Sequence, residues 1–430
     1  MKKEKIGFIG LGKLGLPVAL AINSRGYEVS GYDINPEVKG YLKNRAIPYQ
    51  EIYSEEYLRT HTINFTDLDS VVKNSSIIFV PVQTPHDPLY EGATRIPESR
   101  VDFNYDALVS AMKSISESVE KHGEEKIVVI ISTVLPGTVE SSIKPILSDK
   151  IKLCYNPFFI AMGTTIRDFM NPEFVLLGVD DLEAAERVEN FYGTLHERKV
   201  FRTSVKNAEL IKVSYNTYIG MKIVFANTIM EICHKIGADV DSVIDAISLA
   251  NERLISPKYL RGGMGDGGGC HPRDNIAMSW LAKKIDLSHD FFEDIMAARE
   301  DQTEWLAKIC TEHNLPIVIL GKAFKPETNI QTGSPSLLLY SMLKNEYNAD
   351  VKIFDPISDG EEYFNTQISK EIDKSKPYLY FIGTQHNYFK KFSYNANSII
   401  IDPFRYMENN NYIESNSIKI IPIGGKSQKQ

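Results

Sequence analysis

Within its first fifteen residues the chain places Gly10, Gly12 and Gly15 between an apolar run at 6–10 and a stretch that is apolar at helical spacing and ends at Gly26. A second strand, YEVSGYD at 27–33, is expected next and ends on Asp33. Strand, tight turn, helix, strand is the pattern of a parallel crossover unit. In it Gly10 permits the turn, Gly12 lets a backbone approach a pyrophosphate, and Gly15 lets the helix pack closely on the strand. The free N–H groups at the helix start then face the phosphates. A carboxylate at Asp33 can accept both ribose hydroxyls and would repel a 2′-phosphate. The turn therefore reads as a dinucleotide site that takes NAD in preference to NADP.

The same alternation continues. Strands are expected at 77–82, 127–131 and 152–155, with helical stretches near 104–121 and 138–147, which implies a parallel sheet covered on both faces. The loop 83–101 leaves the sheet at its carboxyl side, where such sheets bind ligands. Near residue 204 the pattern changes to one long helix over 205–236, then helices at 239–250, 273–286 and 290–314. From 315 the alternation returns with the strands PIVILG, DVKIFDP, YLYFIGT and SIIIDP. The last dozen residues read as a frayed tail. The expected fold class is α/β: two doubly wound parallel-sheet domains, 1–203 and 315–430, joined by a helical domain, 204–314.

At 430 residues the chain is too long for one ordinary domain, and 43% apolar with 24% charged residues is a globular balance. The net charge of −8, without a dense Lys/Arg tract, argues against nucleic acid as a partner. No apolar run approaches the roughly 18 residues of a membrane span. The amino terminus has the basic start of a signal peptide, but Lys13 and Pro17 interrupt its apolar stretch. Cys154, Cys233, Cys270 and Cys310 are scattered without metal spacing, so neither a disulfide framework nor a zinc site is expected. A cytoplasmic protein is the expectation.

Three further constellations carry chemistry. Lys212 and Asn216 lie four residues apart on the long helix and so share a face. A lysine in that apolar stretch could stabilise an oxyanion or, when desolvated, act as a base. The alternative is a solvated helix edge. In the second, six of the eight residues 262–269 are glycine, and Cys270 follows. Pro272 suits the first turn of the next helix, which puts Cys270 near a helix amino terminus, where thiolate is favoured. Asp274 lies four residues on. In the third, Gly321–Pro326 follows a strand with two lysines, Lys322 and Lys325, and reads as a diphosphate site.

Taken together, GLGKLG, VPVQTP (80–85), STVLPGT (132–138), YNPFF (155–159), the Lys212/Asn216 helix, the cysteine loop and GKAFKPET (321–328) resemble the UDP-glucose/GDP-mannose dehydrogenase family over nearly the whole chain. The resemblance implies Rossmann-like outer domains, the first binding NAD and the last gripping a nucleotide sugar, with dimerisation through the central helices. It implies oxidation of a sugar C6 alcohol through a thiohemiacetal and a thioester on Cys270. Lys212 would stabilise alkoxide-like states, Asn216 would hold the sugar, and Asp274 and Thr133 would serve proton transfer and an ordered water. Leu14, Thr84 and Thr133 join Gly10, Gly12, Gly15 and Asp33 around the cofactor. Tyr259, Gly267 and Lys325 join Lys212 and Asn216 around the substrate. The sequence departs from the family pattern at Phe158 and Met162, which stand where glutamates are usual, at Thr332 in place of an arginine, and at Asp266. These departures put the last acyl-release step in question. Two other readings are a nucleotide-sugar binder that has lost turnover and a β-hydroxyacid dehydrogenase of the 6-phosphogluconate type.

Overall fold

The computed structural model describes residues 3–85, 101–254, 256, 262–265, 270–326, 328–408 and 411–424. Packing divides the chain into two compact units, Met1–Met221 and Lys222–Gln430.

The first unit is built on eight strands: β1 (Ile6–Ile9), β2 (Val29–Tyr32), β3 (Asn64–Phe65), β4 (Ile77–Val80), β5 (Lys126–Ile130), β6 (Ile151–Tyr155), β7 (Val175–Val179) and β8 (Val200–Thr203). They run in the order β3-β2-β1-β4-β5-β6-β7-β8. The central strands IGFI, IIFV and KIVVI are buried along their whole length, as a sheet covered on both faces requires. Phe8, Phe79 and Phe191 pack on one side of it, and Ile78, Met112 and Val128 on the other.

One part of the sheet differs from the parallel expectation. β7 pairs with β6 antiparallel, Cys154 opposite Val179. After β6 the chain stays at the carboxyl edge, where the Glu51 carboxylate accepts the N–H groups of Gly163 (3.1 Å) and Ile166 (3.3 Å), and β7 starts from that edge. The stretch expected to be helical over 138–147 is a π turn, Val139–Ile143, running into a 3₁₀ turn, Lys144–Ile146. Pro145 lacks the N–H that an α-helix would need there.

The helix expected over 205–236 is present as Val205–Ile236. Its first turn lies directly on β7 at Gly178, where an added Cβ would meet the Ala208 Cβ at 2.8 Å and the Val205 Cα at 2.9 Å. A side chain at 178 would push the helix away.

In the second unit the helices Val240–Ser248, Cys270–Lys284 and Phe291–Thr311 precede a parallel sheet. Its strands are β9 (Ile317–Leu320), β10 (Val351–Phe354), β11 (Leu379–Ile382), β12 (Ile399–Asp402) and β13 (Lys419–Pro422), in the order β10-β9-β11-β12-β13. The frayed-tail expectation is corrected at its start, where Lys419–Pro422 pairs residue by residue with β12 and Ile418 beside it is buried; residues 425–430 lie outside the described residues.

Candidate active site

The glycine turn has the geometry its sequence implies. Gly10 sits at φ +111° and its N–H donates to the Tyr32 carbonyl at 2.8 Å, closing the turn on β2. A Cβ on Gly15 would stand 2.2 Å from the Gly10 carbonyl oxygen, so no side chain fits there. Around Gly12 nothing lies within 4 Å of an added Cβ. That face is open to a ligand. Asp33 braces the turn by accepting the Leu11 N–H at 2.6 Å and the Asn35 N–H at 2.8 Å, and its side chain stays partly exposed. The helix Gly15–Asn23 has no side-chain cap; Leu16 and Val18 donate to the Gly12 and Leu14 carbonyls and Pro17 has no N–H, so the Gly15 N–H is the one its first turn leaves for an anion. These residues fit the pyrophosphate and ribose of a dinucleotide.

A cavity of about 280 Å³ opens from this turn. Gly12, Lys13 and Leu14 line it, with Thr84, Ser132 and Thr133 from the ends of β4 and β5, Phe158, Ile160 and Met162 from the loop after β6, and Lys212 from the long helix. Thr84 Oγ1 donates to the Thr133 carbonyl at 2.7 Å and so ties two of these loops together. Lys212 is only 8% exposed. Its Nζ donates to the Phe158 carbonyl at 2.8 Å and lies 5.1 Å from the centre of the Phe159 ring. Burial pushes its pKa below the ordinary lysine value. Such an ammonium releases a proton more readily and, while charged, is a strong partner for a developing oxyanion. Asn216, one turn on, is exposed.

The remaining expected residues are placed as follows. Cys270 is the first residue of the helix Cys270–Lys284 and Asp274 lies four residues along it; their side chains fall outside what is described. Tyr259, Gly267 and Asp266 lie outside the described residues. Cys154, Cys233 and Cys310 are buried, and burial pushes the Cys154 and Cys310 thiols up to about 12, which leaves them unreactive. Lys325 is exposed, 5.3 Å from the Phe324 ring centre. Of the two lysines in that loop, Lys322 is the one already engaged: both Asp359 oxygens hold its ammonium, at 2.7 and 2.8 Å.

Two carboxylates escaped the sequence reading. Glu51 holds the loop that carries Met162, and Glu209, 1% exposed, accepts the N–H groups of Gly137 and Val139. The one sequence signal for Glu209 is an acid three residues before Lys212 in an apolar stretch.

Comparison with known proteins decides the family. Residues 4–196 match the NAD binding domain of the UDP-glucose/GDP-mannose dehydrogenase family, and residues 206–300 match its central domain. The chain belongs to this family. It is 31% identical over 370 residues to UDP-glucose 6-dehydrogenase TuaD of Bacillus subtilis, covering 83% of this chain and 76% of that one. It is 27% identical over 365 residues to GDP-mannose 6-dehydrogenase of Pseudomonas aeruginosa, covering 82% and 81%. A crystal structure of a ternary complex of GDP-mannose dehydrogenase from Pseudomonas aeruginosa has the same fold, with a TM-score of 0.84 at 24% identity over 97% of this chain and 99% of that one. The glycine turn, Asp33, Thr84 and Thr133 all fall within the NAD binding domain of the family, and NAD is the cofactor.

Proposed function

We propose that the protein oxidises the C6 alcohol of a nucleotide sugar, a UDP-hexose by its relatives, to the carboxylate. Each turnover would consume two NAD and one water and release two NADH and three protons. The observation that carries this reading is the cavity that runs from the Gly12 turn to the buried Lys212 ammonium.

When bound, NAD accepts the hydride. Gly10, Gly12 and Gly15 with the helix start would hold its pyrophosphate and Asp33 its ribose, while Leu14, Thr84 and Thr133 would line the nicotinamide end. Lys212 would stabilise the alkoxide as the proton of the C6 hydroxyl leaves. Cys270, at a helix amino terminus that favours thiolate, would add to the aldehyde and carry the acyl group as a thioester. Asp274 would serve proton transfer, with Asn216, Tyr259, Gly267 and Lys325 on the substrate. The division 1–203, 204–314 and 315–430 assigns these roles to an NAD domain, a central helical domain and a nucleotide-sugar domain.

NADH formed per nucleotide sugar consumed, over a panel of UDP- and GDP-sugars with products weighed by mass spectrometry, tests the reading. Two NADH and a free uronate are expected. Binding without NADH would favour a binder that has lost turnover, and undiminished oxidation by Cys270→Ala a β-hydroxyacid dehydrogenase.

A second reading concerns the last step. None of the described residues lining the cavity is acidic, and Phe158 and Met162 are among them. Without a carboxylate to activate water, the acyl-Cys270 thioester would be long-lived, or released to another nucleophile. A single stoichiometric burst of NADH that stalls with sugar on Cys270 is its signature.

The long helix exposes Tyr218, Met221, Val224 and Met230, an apolar surface suited to a second copy of the chain, which supports a homodimer. Among the described residues no helix is long and apolar enough to cross a membrane. A cytoplasmic role in supplying an acidic sugar to a polysaccharide fits this activity.

A further inference from the structure

Glu209 is a buried acid that the chemistry above does not use. Its carboxylate is 1% exposed, and both oxygens are committed to backbone: Oε2 accepts the Gly137 N–H at 2.6 Å and Oε1 the Val139 N–H at 2.9 Å. Gly137 sits at φ +96°, a left-handed conformation that side chains resist, so the turn presenting its N–H depends on glycine. The loop gripped in this way begins at Ser132 and Thr133, which line the cavity. Its other side is held by Thr84 Oγ1 on the Thr133 carbonyl and by the Tyr105 hydroxyl, which accepts the Leu135 N–H at 3.1 Å.

Three residues along the same helix, and so on the same side of it, Lys212 grips the Phe158 carbonyl in the loop after β6. Adjacent turns of one helix thus clamp the loops that leave β5 and β6, and both loops line the cavity. Gly178 beneath the first turn keeps that helix against the sheet.

We propose that Glu209 is a positioning residue for Lys212: its carboxylate locks the Ser132–Thr133 loop to the helix turn that carries the ammonium, and so sets where the ammonium stands in the cavity. This rests on the dehydrogenase reading above for its effect on rate, though the mechanical coupling stands apart from it. A carboxylate is required because both partners are donors. Glutamine would keep the size and one acceptor but turn its NH₂ toward the second N–H, leaving a donor facing a donor.

Glu209→Gln tests the assignment with two readouts. Turnover should fall about tenfold or more, and by more than NADH affinity, since displacing a reacting group by about 1 Å costs that much or more. Backbone hydrogen exchange should quicken in 132–143 and also in 156–163, the loop that Glu209 does not touch. Turnover unchanged, or quicker exchange confined to 136–140, would overturn the assignment and leave Glu209 a local clamp. Equal losses of turnover and of NADH affinity would also overturn it, as general loosening. Should the glutamine variant fail to accumulate, Gly137→Ala attacks the same clamp from the loop side and must give the same pattern. A wild-type protein that binds NADH and oxidises no nucleotide sugar sinks the dehydrogenase reading instead, and the exchange pattern still decides the coupling.

Discussion

Asp33 and Asp355 hold the same position in their two sheets. Each follows a strand that pairs with the first strand of its sheet, β2 and β10, and each accepts at 2.6 Å the N–H of the residue after a left-handed glycine: Leu11 after Gly10 at φ +111°, Lys322 after Gly321 at φ +109°. Each also accepts, at 2.8 Å, the N–H two residues further along. The difference is access. Asp33 is partly exposed, whereas Asp355 is fully buried with His386 against the same oxygen that holds Lys322. The device is open to a ligand in the first unit and closed by the protein's own side chain in the second.

Asp355 should therefore report on stability. Burial works to raise its pKa, but the His386 bond and the N–H groups of Ser358 and Lys322 together hold it well below the usual carboxylate range. A depressed pKa in the folded state stabilises above the unfolded value and is lost as pH falls toward the folded one. Asp355→Asn should cost about 2–4 kcal/mol at neutral pH and flatten the fall of melting temperature below about pH 4. Thermal melts of both proteins across that range check it. An unchanged acid limb would show that other carboxylates set it.

Asp33 should control cofactor choice. Asp33→Asn keeps an acceptor for the Leu11 N–H but removes the charge that faces a 2′-phosphate. The preference for NAD over NADP should fall by about tenfold or more, read as the ratio of the two binding constants. An unchanged ratio would place the discrimination elsewhere.

Gly12 and Gly15 should separate binding from folding. The Gly12→Ala methyl enters open space, so its melting temperature should match the parent while NAD affinity drops by about tenfold or more. The Gly15→Ala methyl meets the Gly10 carbonyl, and that variant should lose stability by about 1–3 kcal/mol even without ligand. Undiminished NAD affinity in Gly12→Ala would mean the pyrophosphate lies away from this turn.

The parts of this site that the sequence made legible are local ones. The Gly10–Gly15 turn and Asp33 need only a strand, a turn and a helix in order, and the long helix shows itself by its mostly apolar length, greater than that of any helix before it. β3, of two residues, is too short for an alternation to show, and β7, buried along four of its five residues, has none to show. What Glu209 holds was hidden for another reason: its partners are backbone amides 72 and 70 residues away, and an amide N–H has no sequence signature. Lys322 illustrates the same limit: the sequence does not tell the two lysines of the 321–326 loop apart, and only the fold shows that Asp359, 37 residues on, occupies the first of them.

Lys212 sets two effects against each other. Burial lowers its pKa, so the charged form destabilises the fold, while its bond to the Phe158 carbonyl stabilises it. Between the lowered folded value and the ordinary 10.5, the unfolded chain binds more protons, and stability of the parent should rise with pH across that window. Lys212→Met removes both the buried charge and the bond, the latter worth about 1 kcal/mol, plus the cost of an unpaired carbonyl. If desolvation is the larger, the methionine variant melts higher than the parent at neutral pH, and the gap closes as the pH rises. Turnover should fall by a factor of about 10² or more in the same variant, because no other cation lines that end of the cavity among the described residues except Lys13 of the glycine turn. A variant less stable than the parent at every pH would show that the Phe158 bond outweighs the burial of the charge. Lys212 would then be held in the cavity by its carbonyl partner as much as it is needed there for chemistry.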